Sequence, residues 1–221
     1  MHGKLIVLEG LDGSGKSTQM EQLKNRLKES GQLYRQIKLP DYEDPSSTLV
    51  RMYLDGAFGG KAADVNAYAA SLFYAVDRYA SYKRHWGADY ECGKLILADR
   101  YATSNAIHQM GKLPESEWAD FLKWVEDLEY VKNGIPRPDL VLYLDMPVEI
   151  SQRLMSQRYH GDEVKKDVHE CDVAYLNQCR RTAAYAAQLW GWCTIPCARY
   201  GAPRSIEEIG NQIFEAVLKE L

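Results

Sequence analysis

The chain has 221 residues, a length that a single hydrophobic core can serve. Its hydrophobic fraction of 46% and charged fraction of 26% are those of a globular protein and exclude dominant disorder. A formal net charge of -4 offers no basic excess for a nucleic-acid polymer, so any phosphate recognition has to come from a few placed cations and from backbone N–H groups.

The chain carries no signal-peptide pattern. The first apolar run, Leu5 to Leu8, is too short for a signal sequence or a membrane span, so a cytoplasmic protein without membrane association is expected. Cys92, Cys171, Cys179, Cys193 and Cys197 are odd in number and form no Cys-x-x-Cys pair, which argues for free thiols rather than disulfides or zinc.

Helical and strand patterns alternate along the sequence. Lys4 to Leu8 reads as a buried strand, Ser17 to Ser30 as a helix closed by Gly31, and Leu33 to Lys38 as a strand stopped by Pro40. A long Ala- and Tyr-rich pattern predicts helix from Ala62 to Trp86. Lys94 to Ala98 and Leu140 to Leu144 are further apolar strands, with helix expected from Pro114 to Tyr130 between them. Helices are expected near 148–158, 170–190 and 205–220, with a short strand near Trp192 to Ile195. Apolar strands separated by helices specify an α/β fold, a central parallel sheet flanked by helices on both faces. One domain over 1–221 is expected, and its ligands should bind beyond the carboxyl ends of the strands.

Directly after the first strand comes Gly10-Leu11-Asp12-Gly13-Ser14-Gly15-Lys16-Ser17-Thr18, a complete Gly-x4-Gly-Lys-Ser/Thr pattern between strand and helix. Gly10, Gly13 and Gly15 let the backbone curl so that its N–H groups converge on phosphate oxygens, and the helix start adds the positive end of its dipole. Lys16 can reach the β- and γ-phosphates, and the Ser17 hydroxyl can ligate Mg2+. The pattern implies a three-layer P-loop NTPase fold that binds a nucleotide; the reaction stays open, since ATPases, GTPases and small-molecule kinases share it.

Three further segments narrow the choice: Lys38-Leu39-Pro40-Asp41-Tyr42, Leu72 to Tyr79 with its Asp77-Arg78, and Asp99-Arg100-Tyr101 continuing to Thr103-Ser104-Asn105. With Leu11-Asp12-Gly13 they resemble, in order and spacing, the thymidylate kinase family over nearly the whole chain. The resemblance implies transfer of a phosphoryl group from ATP to dTMP with Mg2+, a homodimer, and a lid in the C-terminal half. Arg100 could hold the acceptor phosphate through its planar fork, and Asp99 could orient Mg2+ or its waters. Tyr74 and Arg78, four residues apart on one helix face, suit a pyrimidine base, and in the family these positions contact thymine. The family further implies Asn105 at the base edge, His108 near the sugar 2′ position, Asp12 at the 3′-hydroxyl, and Arg153 against the adenine of ATP. Phe73 is expected in the core.

The P-loop interior carries no arginine, so the resemblance is to members that supply a cation from the lid, expected over about 158–170. Arg158, Lys165 and Lys166 are the candidates, with Arg158 favoured. The family turn after the second strand usually ends in arginine, where this chain has Tyr42, and Arg51 is a potential substitute. A deoxynucleoside kinase with Asp41 as base, and a non-catalytic nucleotide-binding module, are the rival readings.

Overall fold

A computed structural model describes residues 2–158 and 173–221. Five parallel strands, β1 (Leu5–Gly10), β2 (Tyr34–Lys38), β3 (Leu95–Asp99), β4 (Leu140–Asp145) and β5 (Cys193–Pro196), form one sheet in the order β2-β3-β1-β4-β5. Nine helices are assigned among the described residues: α1 (Lys16–Glu29), α2 (Thr48–Leu54), α3 (Ala67–Ser81), α4 (Gly87–Glu91), α5 (Thr103–His108), α6 (Trp118–Glu126), α7 (Val148–Arg158), α8 (Val173–Trp190) and α9 (Ile206–Leu218). None of them is long and apolar enough to cross a membrane.

Every residue of β1 and of β3 is buried, because helices cover both faces of the sheet. Side chains alternate between the faces. Leu5 and Val7 join a core with Phe121 of α6 and Ala183 of α8, whereas Ile6 and Leu8 join Leu23 of α1 and Ile213 of α9. The α/β expectation and the parallel sheet are thereby met.

Several boundaries differ from expectation. The helix expected from Ala62 begins at Ala67, because the Asn66 side chain caps it by accepting from Ala69 N–H. Nor does it stop at Trp86. Gly87 keeps a helical φ of -59°, and a π-helical turn over Tyr82–Trp86 carries the chain into α4. A second π-helical segment, Asp127–Lys132, follows α6. The sequence signals missed α2, α5 and a small antiparallel hairpin, β6 (Ala198–Arg199) with β7 (Ala202–Pro203); all are short for periodicity. The expected lid falls outside the described residues. Arg158 closes α7 without a described side chain, and Lys165 and Lys166 are not described.

Trp86 is fully buried, with its ring centroid 4.8 Å from that of Tyr82 and 6.2 Å from that of Tyr101. It thus links the long helical stretch to the turn after β3. Trp86→Ala should cost about 3–5 kcal/mol and lower the thermal midpoint by about 10 °C, measured by circular dichroism.

Candidate active site

The P-loop leaves β1 at Gly10 and enters α1 at Lys16. Gly15 is the N-cap in the left-handed region, φ 93°, and Gly13 has φ 75°. A Cβ on Gly13 would approach Met155 Cγ and the Ser151 carbonyl of α7 to 2.9 Å, so glycine is required there by contact as well as by conformation. Lys16 folds back over the loop. Its Nζ donates to the carbonyls of Gly10 (2.8 Å) and Leu11 (3.0 Å) and lies 3.7 Å from Asp12 Oδ1. Burial, reinforced by the charge of Arg100, pushes the ammonium pKa down to about 8, although Asp12 and Asp99 resist.

Arg100 follows β3 and sits in the left-handed region, φ 69°, where a non-glycine residue costs about 1–2 kcal/mol. Glu9, fully buried at the end of β1, holds this turn. Its carboxylate accepts from Tyr101 N–H (3.2 Å), Thr103 Oγ1 (2.7 Å) and Ser104 Oγ (2.8 Å). Burial raises the Glu9 pKa, against the pull of Arg100 and the hydroxyls.

The Arg100 fork turns toward the P-loop. Nη2 donates to Asp12 Oδ1 at 2.7 Å, and Nη1 donates to His108 Nε2 at 2.9 Å, with a weak approach of 3.5 Å to the Gly10 carbonyl. Burial alone would raise the Asp12 pKa. The charges of Arg100 and Lys16 outweigh it and hold the carboxyl well below the usual carboxylate range. Burial works against the Arg100 charge too, and Asp12, Glu9 and Asp99 outweigh it, so the guanidinium stays protonated.

These groups open into a cavity of about 330 Å³. Asp12, Lys16, Ser17, Asp99 and Arg100 line it beside the P-loop. Tyr74, Arg78, Asn105 and Gln109 line it as well. Asn105 Nδ2 and Gln109 Oε1 are buried without a hydrogen-bond partner among the described residues, a costly state that a polar ligand edge would relieve. Arg78 is 3% exposed, and its Nε and Nη2 donate to Glu129 at 3.2 and 2.5 Å. Phe73 packs on Tyr53 and Phe58 and is half-buried at the edge of a small satellite cluster, not in the main core.

The structure brings together most of the residues singled out from sequence. Asp12, Gly13, Gly15, Lys16, Ser17, Tyr74, Arg78, Asp99, Arg100, Asn105 and His108 all line the one cavity. Gly10, Ser14 and Thr18 lie in or beside the loop without lining it, and Ser14 is buried. Arg153 lines a separate groove of about 350 Å³ between α7 and the β6–β7 hairpin, with Arg199 and Tyr200. Arg51 does not line the cavity. Its Nη1 donates to the Tyr42 carbonyl (2.6 Å) and Ser47 Oγ (2.7 Å), so it braces the turn after β2. Glu9, Lys38, Gln109, Glu129 and Tyr175 were not read from sequence as site residues. Lys38 and Gln109 carried a usable signal, since each adjoins a motif; Glu129 and Tyr175 reach the site only through tertiary packing.

Asp99 Oδ1 is likewise buried and unpartnered among the described residues, and the Ser17 hydroxyl lines the same cavity. A carboxylate oxygen and a hydroxyl beside a phosphate cradle are the hard donors that Mg2+ takes, together with phosphate oxygens and water, so this donor set fits the ion.

The Arg78–Glu129 pair is buried on both sides, so removing one charge strands the other. Glu129→Gln should destabilise the protein by about 3 kcal/mol, and the double variant Arg78→Met/Glu129→Met should recover most of that loss, as measured by urea denaturation.

Comparison with known proteins agrees with this geometry. The family profile described as Thymidylate kinase matches residues 8–200. A probable thymidylate kinase of Pyrococcus horikoshii is 31% identical over 100% of this chain and 98% of its own length. The thymidylate kinase of Mycobacterium tuberculosis is 30% identical over 85% of this chain and 87% of its own. The solved structure of a thymidylate kinase from Candida albicans superposes with a TM-score of 0.73 at 22% identity, covering 99% of this chain and 92% of that one, a likeness of fold. With the P-loop, Arg100 and a polar cavity at one edge of the sheet, the chain belongs to the thymidylate kinase family.

Proposed function

We propose that the chain, acting as one P-loop kinase domain, transfers the γ-phosphoryl group of ATP to dTMP, giving ADP and dTDP. The observation that carries the assignment is the shared carboxylate of Asp12, 2.7 Å from Arg100 and 3.7 Å from Lys16. Two cations, one opening α1 and one following β3, thereby face one space, as two phosphates exchanging a phosphoryl group require.

The donor triphosphate lies on the P-loop amides and Lys16. The acceptor phosphate engages Arg100, and its thymine enters toward Tyr74, Arg78, Asn105 and Gln109. An oxygen of the dTMP phosphate attacks the γ-phosphorus, the bond to the β,γ-bridging oxygen breaks, and ADP leaves with the bond's electrons. No general base is required, because a phosphate monoester has lost its second proton near neutral pH. Mg2+, held through Ser17 and Asp99, would supply positive charge to the donor phosphates. Asp12 and His108 are placed to meet the deoxyribose once the nucleotide draws Arg100 onto its phosphate. Asp41, the base a deoxynucleoside kinase would need, does not line the cavity; its backbone N–H donates to Asp77. Arg153, exposed beside Tyr200, is assigned to the donor base, and Arg158 to charge stabilisation from the lid.

A homodimer in the cytoplasm completes the proposal. Leu72, Val76 and Tyr79 of α3 and Leu49 and Met52 of α2 are exposed apolar side chains; those of α3 follow helical spacing along one face, which suits a second copy.

A coupled ADP-release assay should show turnover with dTMP and none with thymidine. It should be lost on chelating Mg2+ and reduced by roughly 10²–10³ in Arg100→Ala. Turnover with thymidine alone would overturn the monophosphate assignment. Val76→Asp should convert the dimer to monomer in light scattering coupled to gel filtration, and an unchanged mass would remove this face as the interface.

A further inference from the structure

We propose that Lys38 is a second cation for the phosphate of the acceptor nucleotide, standing on the far side of Arg100 from the P-loop. The inference rests on the assignment of a nucleoside monophosphate to this cavity and extends it to a residue outside the motifs.

The need follows from charge. An acceptor phosphate carries close to two negative charges. Arg100 is already divided, with one arm on Asp12 and the other on His108. Arg100 and Asp12 together offer almost no net charge, and Lys16 is bound to the P-loop carbonyls where the donor sits. Arg51 is committed to the turn and to Thr48 Oγ1 at 3.0 Å. Arg78 is paired with Glu129.

Lys38 fits by position. It ends β2, where it stands in register with Asp99 on β3, directly before Arg100. Register partners on neighbouring parallel strands point to the same face. Lys38 and Asp99 both line the cavity, whereas Ile37, the preceding residue, points into the core. Lys38 itself is exposed, and no ion pair joins it to another described residue.

The sheet order then decides which nucleotide it serves. The strands run β2-β3-β1, so Lys38 at the end of β2, Arg100 just after β3 and the P-loop that leads from β1 to Lys16 stand side by side. With neighbouring strands about 4.8 Å apart, the end of β2 is roughly 10 Å from the end of β1. A phosphate between Lys16 and Arg100 is the one being transferred. A phosphate between Arg100 and Lys38 is the one receiving it. A lysine suits this place as a compact charge on a flexible stem that adjusts as the phosphate changes from monoester to anhydride.

The test is binding to the full chain by titration calorimetry, with dTMP and with thymidine, for wild type, Lys38→Met and Lys38→Arg. Lys38→Met should weaken dTMP roughly tenfold or more, the worth of one charge-assisted contact, and leave thymidine, which lacks the phosphate, unchanged. Lys38→Arg should recover most of the loss. In turnover the KM for dTMP should rise while the KM for ATP holds. Unchanged thymidine affinity also reports that the variant is folded. Unaltered dTMP affinity, an equal loss for both ligands, or a rise confined to the KM for ATP would each overturn the role of Lys38. A wild-type chain that phosphorylates thymidine and not dTMP would overturn the underlying assignment as well.

Discussion

The carboxylate of Asp12 makes this site possible before any ligand arrives. Arg100, just after β3, and Lys16, at the start of α1, would repel each other across one cavity. Asp12 lies between them, accepting from Arg100 at 2.7 Å and lying 3.7 Å from Lys16. It therefore holds the two cations toward one space without a direct clash of charge. A preorganised site of this kind needs little rearrangement when the negative charge of the nucleotides replaces that of the side chain.

Around that centre, the end of β1 works twice. Gly10 starts the P-loop. Glu9, one residue earlier, fixes the opposite wall by accepting from Tyr101, Thr103 and Ser104. The P-loop and the Arg100 turn are thus aligned by consecutive residues of one fully buried strand. Their spacing can shift only if the middle of the sheet shifts, which close packing resists.

The sequence made the frame legible because the frame obeys periodicity. Apolar runs marked β1, β3 and β4, and the glycine spacing marked the P-loop with its lysine. It was less informative where local signals give way to tertiary ones. Asn66 caps α3 and moves its start by several residues, while Gly87, which looks like a stop, remains helical inside a π-helical transition. The motif residues were recoverable because chemistry confines them to strand ends. Glu129 was not, because it lies 51 residues from Arg78 in sequence and meets it only after α3 and the segment following α6 pack together. Arg51 shows the reverse error, since a cation near a phosphate site in sequence serves here as a brace for a turn.

The same packing sets which donors and acceptors line the cavity around Arg78. Glu129 fixes Nε and Nη2 of Arg78, so what the guanidinium can present to a ligand is N–H donors and nothing else. Against donors, the carbonyl oxygens of thymine are complementary, and the exocyclic amine of cytosine is not. Asn105 and Gln109 add buried amides whose free atoms include one donor and one acceptor, a set able to meet both the carbonyls and the ring N–H of thymine. A base that left these groups unpaired would bear the cost of burying them, which is larger than the gain from a single added contact. The fold thus keeps desolvated polar groups at Asn105 and Gln109 and charged groups around the P-loop and the turn after β3. The two can vary independently, because they are held by different elements of one cavity.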